Sequence, residues 1–264
     1  MPCIRWGGGR TKRDGQTRLG EERWRCHECR RRLTTRSSSA FSGRGFADDV
    51  MVVAVRWYVR CGLTYGDIAE WLAERGLVVD LRTVYRWVRR FLPLQGEAAR
   101  RFRRPVGDRW RVEETSCRLD GRWAYCYREI DQHGQVVDMD VSERRDAAAA
   151  RAFFGRAVGE SGTTPERVVT DTALCYRPAL RTLLSEVEHR TSKFLNNGLE
   201  RDHGHLKQRL RRPMRGFKQY ASADGFSRGH ALVQNVRNGC SSPTDRVPRP
   251  LRLATARPQP ARAI

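Results

Sequence analysis

The 264-residue chain has no apolar run approaching the ~18 residues of a membrane-spanning helix. No apolar stretch near its first residues has the make-up of a secretory leader. Lysine is scarce, at 4 of 51 basic side chains. Acids are scarce at both ends: residues 1–46 carry 4 against 12 basic groups, and residues 213–264 carry 2 against 9. The first two absences argue against a membrane protein and a secreted one, and a cytoplasmic chain is expected. Its eight cysteines are then thiols or metal ligands rather than disulfide partners.

Arginine is abundant. The formal net charge is +21 and the isoelectric point near 10.8. Such an excess implies a polyanionic partner, and double-stranded DNA with a nucleoid location is the natural one. The acids gather in the middle, with 17 of the 30 between residues 105 and 212. A metal-dependent nucleic-acid enzyme needs this arrangement, carboxylates in one region and basic surface on either side. A plain DNA-binding protein does not.

Residues 1–40 are rich in glycine and arginine. Cys26-His27-Glu28-Cys29 forms a C-x-x-C knuckle that aims two thiolates at one zinc, and Cys3 supplies a third ligand. The expected partner of Cys3, three residues on, is Trp6. The segment reads as a degraded zinc ribbon-like DNA-binding arm; two reduced cysteines in a flexible basic arm is the alternative.

Residues 46–93 read as three helices. The third runs from about Leu81 to Phe91, buries Val84, Trp87, Val88 and Phe91, and is ended by Pro93. Arg82, Tyr85, Arg86, Arg89 and Arg90 lie off that face. A short helix, a glycine-containing connection and a basic helix fit a DNA-binding helix-turn-helix, with the third helix as reader. A small bundle with a solvated arginine face is the bland alternative. Residues 94–108 read as a linker.

From residue 109 the period changes to two. Three short strands turn at Gly121 and Gly134, and an alanine-rich helix follows over 145–158. Arg167–Asp171 reads as an apolar strand ending in an acid, followed by a helix, a short strand and another helix. This order, within an α/β (α+β) class, is that of a ribonuclease H-like fold spanning residues 109–238. Asp131, Asp138 and Asp140 read as strand-end or solvent acids, and Asp146 as a helix-dipole partner. Residues 222–238 read as a last helix, and 239–264 as a disordered basic tail.

The stretch Asn196-Asn197-Gly198-Leu199-Glu200-Arg201-Asp202-His203-Gly204-His205-Leu206-Lys207 opens a helix. Glu200, His203 and Lys207 then share one face, a carboxylate with an imidazole and an ammonium. A solvated helix face would look the same, and the rest of the chain has to decide between them.

Several motifs taken together are specific. Trp110-Arg111-Val112-Glu113-Glu114-Thr115, Tyr125-x-Tyr127-Arg128-x-x-Asp131, Ser142-x-Arg144-Arg145-Asp146, Thr170-Asp171, Asn196-Asn197-x-x-Glu200-x-Asp202-His203 and Arg212-Pro213-Met214-Arg215-Gly216-Phe217-Lys218 resemble the DDE transposases of the insertion-sequence family six. The resemblance covers about residues 20–238. It implies a catalytic triad of Glu113, Asp171 and Glu200 holding Mg²⁺ or Mn²⁺, with His203 and Lys207 as auxiliary phosphate contacts. Glu113 stands where the family has aspartate. The turn 213–220, with Arg215, Lys218 and Phe217, is expected to touch the DNA backbone. The implied function is metal-dependent cleavage and transfer of DNA strands at terminal inverted repeats by a homo-oligomer. A DNA-binding remnant without catalysis is the second reading, favoured by Glu113, and a repair nuclease of the same fold is the third.

Overall fold

The computed structural model describes residues 1–192, 216–242 and 244–256. At Asp120-Gly121 both residues have positive φ, 49° and 75°. This suits a tight two-residue hairpin turn, whose twist matches that of the flanking strands. The turn sets the register of a five-stranded sheet. β4 (Arg109–Leu119) and β5 (Arg122–Asp131) pair antiparallel from Leu119↔Arg122 to Trp110↔Asp131. β6 (Val136–Ser142) adds antiparallel to β5. β7 (Arg167–Thr170) lies parallel to β4 on its other side, and β8 (Glu188–Thr191) parallel to β7. The order β6-β5-β4-β7-β8 is the ribonuclease H-like arrangement expected from the element order.

One face of this sheet presents Trp110, Val112 and Tyr127 to α4 (Ala147–Ser161) and α5 (Tyr176–Leu183). Phe153, Phe154, Tyr176 and Leu180 fill the space between them and are at most 1% exposed. Asp146 starts α4 as its cap, accepting the Ala149 N–H at 2.8 Å, and left-handed Gly162 ends it.

The other face is covered by α6 (Tyr220–Asn238). α1 (Asp48–Arg60), α2 (Tyr65–Ala73) and α3 (Leu81–Arg100) share one continuous core with this face. α3 does not stop at Pro93 but continues to Arg100, so residues 94–100 are helix rather than linker. Proline inside a helix removes one hydrogen bond at a cost of about 3 kcal/mol. The far side of α3 offsets it by burying Leu92, Ala98 and Ala99 near α6. Glycines let the two backbones approach. A Cβ on Gly229 would lie 2.0 Å from Leu92 Cδ1, and one on Gly96 would lie 2.9 Å from Arg228 Cβ.

The tail expected to be disordered is ordered among its described residues. A 3₁₀ turn (Arg249–Leu251) leads into α7 (Arg252–Thr255). Arg56 of α1, itself 7% exposed, donates to the carbonyls of Leu253 (2.7 Å) and Ala256 (2.9 Å). Buried guanidinium donors needing acceptors hold this segment, a long-range requirement that composition does not display.

At the other end, β1 (Thr11–Gln16), β2 (Glu22–Cys26) and β3 (Arg32–Leu33) make a small antiparallel sheet.

Candidate functional site

In β4 side chains alternate between faces. Arg111, Glu113, Thr115 and Cys117 fall on the α6 side, and Trp110, Val112 and Glu114 on the α4 side. The parallel register pairs Arg111 with Val169. Glu113 stands two residues beyond Arg111, and Asp171 two beyond Val169, directly after β7 ends. The register ends at Arg111 and Val169, so Glu113 lies within β4 and Asp171 in the segment just past β7.

Glu113 is 7% exposed and accepts from Arg128 Nη2 at 3.1 Å. Arg128 is its direct antiparallel partner across the hairpin and is 2% exposed. Asp171 is half-buried. Its Oδ1 accepts the Ala173 N–H at 2.9 Å, which fixes the turn after β7. Its Oδ2 has no hydrogen-bond partner among the described residues. Beside it, Thr170 Oγ1 lies 2.9 Å from His189 Nε2, and burial lowers the His189 pKa, favouring the neutral ring.

Glu114 takes the other face. Its Oε1 pairs with Arg145 Nε at 2.6 Å, and its Oε2 is buried without a partner among the described residues. Burial raises its carboxyl pKa, Arg145 opposes that shift and the charge of Asp171 adds to it. Glu114 therefore sits in the electrostatic field of Asp171 despite its opposite parity.

The residues that sequence reasoning missed are the cations Arg128 and Arg145. Arg128 was findable, because the Asp120-Gly121 turn dictates which β5 residue faces Glu113. Arg145 was not, because its approach to Glu114 depends on where the β6–α4 loop lies. Glu200, His203, Lys207 and Arg215 lie outside the described residues. So does the whole motif stretch 196–207, together with its continuation to 215.

Hard oxygen donors suit a divalent cation. Glu113 and Asp171 are such donors, and Asp171 keeps one oxygen uncommitted. By donor type these two carboxylates suit a divalent metal, with Glu113 paired to Arg128.

Of the three acids expected to be strand-end or solvent groups, Asp131 ends β5, while Asp138 and Asp140 lie within β6. Asp131 is 2% exposed and accepts from the Gly107, His133 and Gln135 N–H groups. Asp138 and Asp140 share Arg156 at 2.7 and 2.8 Å. Phe217 is core rather than DNA-facing. It is 4% exposed, donates its N–H to Arg118 O at 2.6 Å and accepts from the Asp120 N–H at 2.7 Å. Gly216, at φ 110°, permits this approach, since a Cβ there would lie 2.4 Å from Arg118 Cβ. Lys218, the next residue after Phe217, is exposed.

On α3, Arg82, Tyr85, Arg86, Arg89 and Arg90 are exposed, while Val84, Trp87, Val88 and Phe91 are buried. Arg82 and Arg86 form no ion pair among the described residues. Arg89 donates to Gln219 Oε1 (2.7 Å) and Ser222 Oγ (3.2 Å), and Arg90 to Ala40 O (3.3 Å).

The thiols of Cys3, Cys26 and Cys29 lie within 4.8 Å of one another, with Cys3 and Cys29 sulfurs 3.5 Å apart. Cys3 and Cys26 head successive turns: the Trp6 and Gly7 N–H groups bond to Cys3 O, and the Arg30 N–H to Cys26 O. Trp6 is 60% exposed and takes no part in this cluster.

Residues 107–240 match the DDE_Tnp_IS240 family, a DDE domain. The transposase for insertion sequence-like element IS431mec of Staphylococcus aureus is 37% identical over 177 residues, which is 65% of this chain and 79% of that protein. The transposase for insertion sequence element IS257 in transposon Tn4003, also from Staphylococcus aureus, matches with the same identity and coverage. Among solved structures, the HTLV-2 integrase catalytic core domain in complex with magnesium (dimeric form) overlaps 40% of this chain and 72% of its own, with a TM-score of 0.34 and 16% identity. From the DDE-domain match and the two staphylococcal relatives, the chain belongs to the DDE-domain family of insertion-sequence transposases.

Proposed function

We propose that this chain is a DNA transposase that binds the terminal inverted repeats of an insertion sequence and cleaves and joins DNA strands with divalent metal. The observation that carries the reading is the match of residues 107–240 to a DDE domain, in a chain 37% identical to an insertion-sequence transposase. Glu113, Asp171 and, by resemblance, Glu200 would hold Mg²⁺ or Mn²⁺, which when bound supplies charge for the attacking and leaving oxygens of an in-line phosphoryl transfer. Arg128 holds the Glu113 carboxylate in one orientation. His203 and Lys207 are assigned to phosphate contact by resemblance alone. The helices α1–α3 are read as a helix-turn-helix, with Arg82, Tyr85 and Arg86 towards the duplex and Arg89, Arg90, Arg215 and Lys218 along the backbone path. The working form is a homo-oligomer, by the same resemblance.

Glutamate at position 113 reaches one methylene further than aspartate. A displacement of about 1 Å at a reacting centre can cost about 10²-fold in rate. The test is strand transfer on element-end DNA with Mg²⁺ or Mn²⁺. We expect slow activity in the native chain, none in Asp171→Asn, and a rise of up to about 10²-fold in Glu113→Asp. Binding of end DNA with no cutting by either the native chain or Glu113→Asp would leave a DNA-binding remnant as the function.

The three thiols at the N-terminus are read as ligands for Zn²⁺. Three sulfurs within 4.8 Å satisfy three positions of a tetrahedral ion. The purified full chain is expected to carry zinc that a Cys26→Ser variant lacks. Absence of zinc from the native protein leaves the small sheet as a metal-free arm.

A further inference from the structure

A cleft of about 520 Å³ opens between the three-helix region and the loop entering α6. One wall is aromatic. The Tyr58 and Tyr65 rings stack with centroids 5.1 Å apart and 6° between planes, and Tyr85 meets Tyr65 edge-on at 5.5 Å. The rim is cationic. The Arg89 guanidinium lies 5.9 Å from the Tyr85 centroid and is steadied by Gln219 and Ser222. Lys218, which is exposed, also lines the cleft. Among the described residues that line it, none carries a carboxylate.

These residues come from two parts of the chain with different tasks. Tyr85 and Arg89 belong to the exposed face of α3, which the proposed function assigns to DNA. Lys218 follows Phe217, whose backbone is bonded to Arg118 and Asp120 at the far end of the catalytic hairpin.

An aromatic wall has little to offer a paired duplex, whose base faces are covered by their neighbours. An unstacked base exposes its π-faces, and its phosphate needs a cation. Side chains that stack bases beside cations that follow the backbone are the general means of binding unpaired nucleic acid. A cavity of this size is in the range that encloses a small ligand. We infer that this cleft receives one unpaired nucleotide of a DNA strand lying across α3, with its base against Tyr85 and its phosphate on Arg89 and Lys218. The inference rests on the DNA-binding reading and adds a mode to it: a strand held here is tied to both α3 and the catalytic sheet.

The test measures affinities of the full chain for three DNAs. One is a fully paired duplex, the second is the same duplex with a single bulged adenine, and the third carries an abasic bulge at that position. The abasic site reproduces the flexibility of a bulge without a base to stack. The bulged adenine is expected to bind about tenfold tighter than the abasic bulge, as stacking of one base provides. A 2-aminopurine in its place should change its emission on binding. Tyr85→Leu should bring the ratio towards one. Tyr85 is 42% exposed, so this change leaves the core intact. Lys218→Gln, on the surface, should weaken binding of both bulged DNAs. Equal affinity for the adenine and abasic bulges in the native protein, or an unchanged ratio in Tyr85→Leu, would overturn the inference while leaving duplex binding untouched. Failure to bind any of the three DNAs would remove the DNA-binding reading itself.

Discussion

Glu129 lies on β5 with 0% exposure, and neither of its carboxylate oxygens has a hydrogen-bond partner among the described residues. Burial pushes its pKa well above the ordinary carboxyl value, and the charge of Asp138 adds to the shift. The folded chain therefore keeps a proton that the unfolded chain releases. Above the unfolded carboxyl pKa of about 4.3, stability falls as pH rises, by up to about 1.4 kcal/mol per pH unit until the folded group itself ionises. Glu129→Gln should match the native stability near pH 4 and exceed it increasingly towards neutral pH. Urea denaturation across a pH series measures this, and parallel curves for the two proteins would mean that Glu129 is solvated or paired. The sequence shows a glutamate in an alternating strand but not that its surroundings are closed. The same holds for Asp138, whose partner Arg156 comes from α4. Glu113 is the opposite case: its pairing with Arg128 follows from counting outward from the Asp120-Gly121 turn.

Among the elements, α3 and α6 carry the most telling contact. Alanine in place of glycine within a helix ordinarily gains up to about 1 kcal/mol. At Gly229 the added methyl would meet Leu92 Cδ1 at 2.0 Å. Gly229→Ala is thus expected to destabilise the fold by about 1–3 kcal/mol, as overpacking does. Leu92→Ala made in the same chain should cost less than it does alone, because the new methyl occupies part of the space vacated. Thermal or denaturant unfolding of the double-mutant cycle reads this coupling, and additive costs would place the two helices further apart. Sequence periodicity located both helices well, and Thr64 caps α2 in a capping box with Asp67. It misjudged the end of α3, since Pro93 is a local stop signal and the compensation lies 130 or more residues away on α6. Phe217 was misjudged for a related reason: a phenylalanine among basic residues reads as surface until the strand it bonds to is known.

For the whole molecule, a net charge of +21 dominates its behaviour towards polyanions. If it covers about 6–10 phosphates, its affinity for duplex DNA should fall by about 10³–10⁵-fold between about 50 and 200 mM salt. Titrations at several salt concentrations give the slope, and an affinity indifferent to salt would exclude the arginine faces as the binding surface. The sequence by itself determined the basic character, the order of strands and helices from residue 46 on and the family, because charge, hydrophobic period and motif spacing are properties of the chain read locally. Only the tertiary structure decided that the three-helix region and the sheet share one core and that the tail is pinned by Arg56. It likewise decided that Glu113 and Glu114 meet different arginines, and that an aromatic cleft forms between α3 and the loop entering α6. Each of these depends on which distant surfaces come within a few ångströms, and close packing selects those partners after the local elements exist.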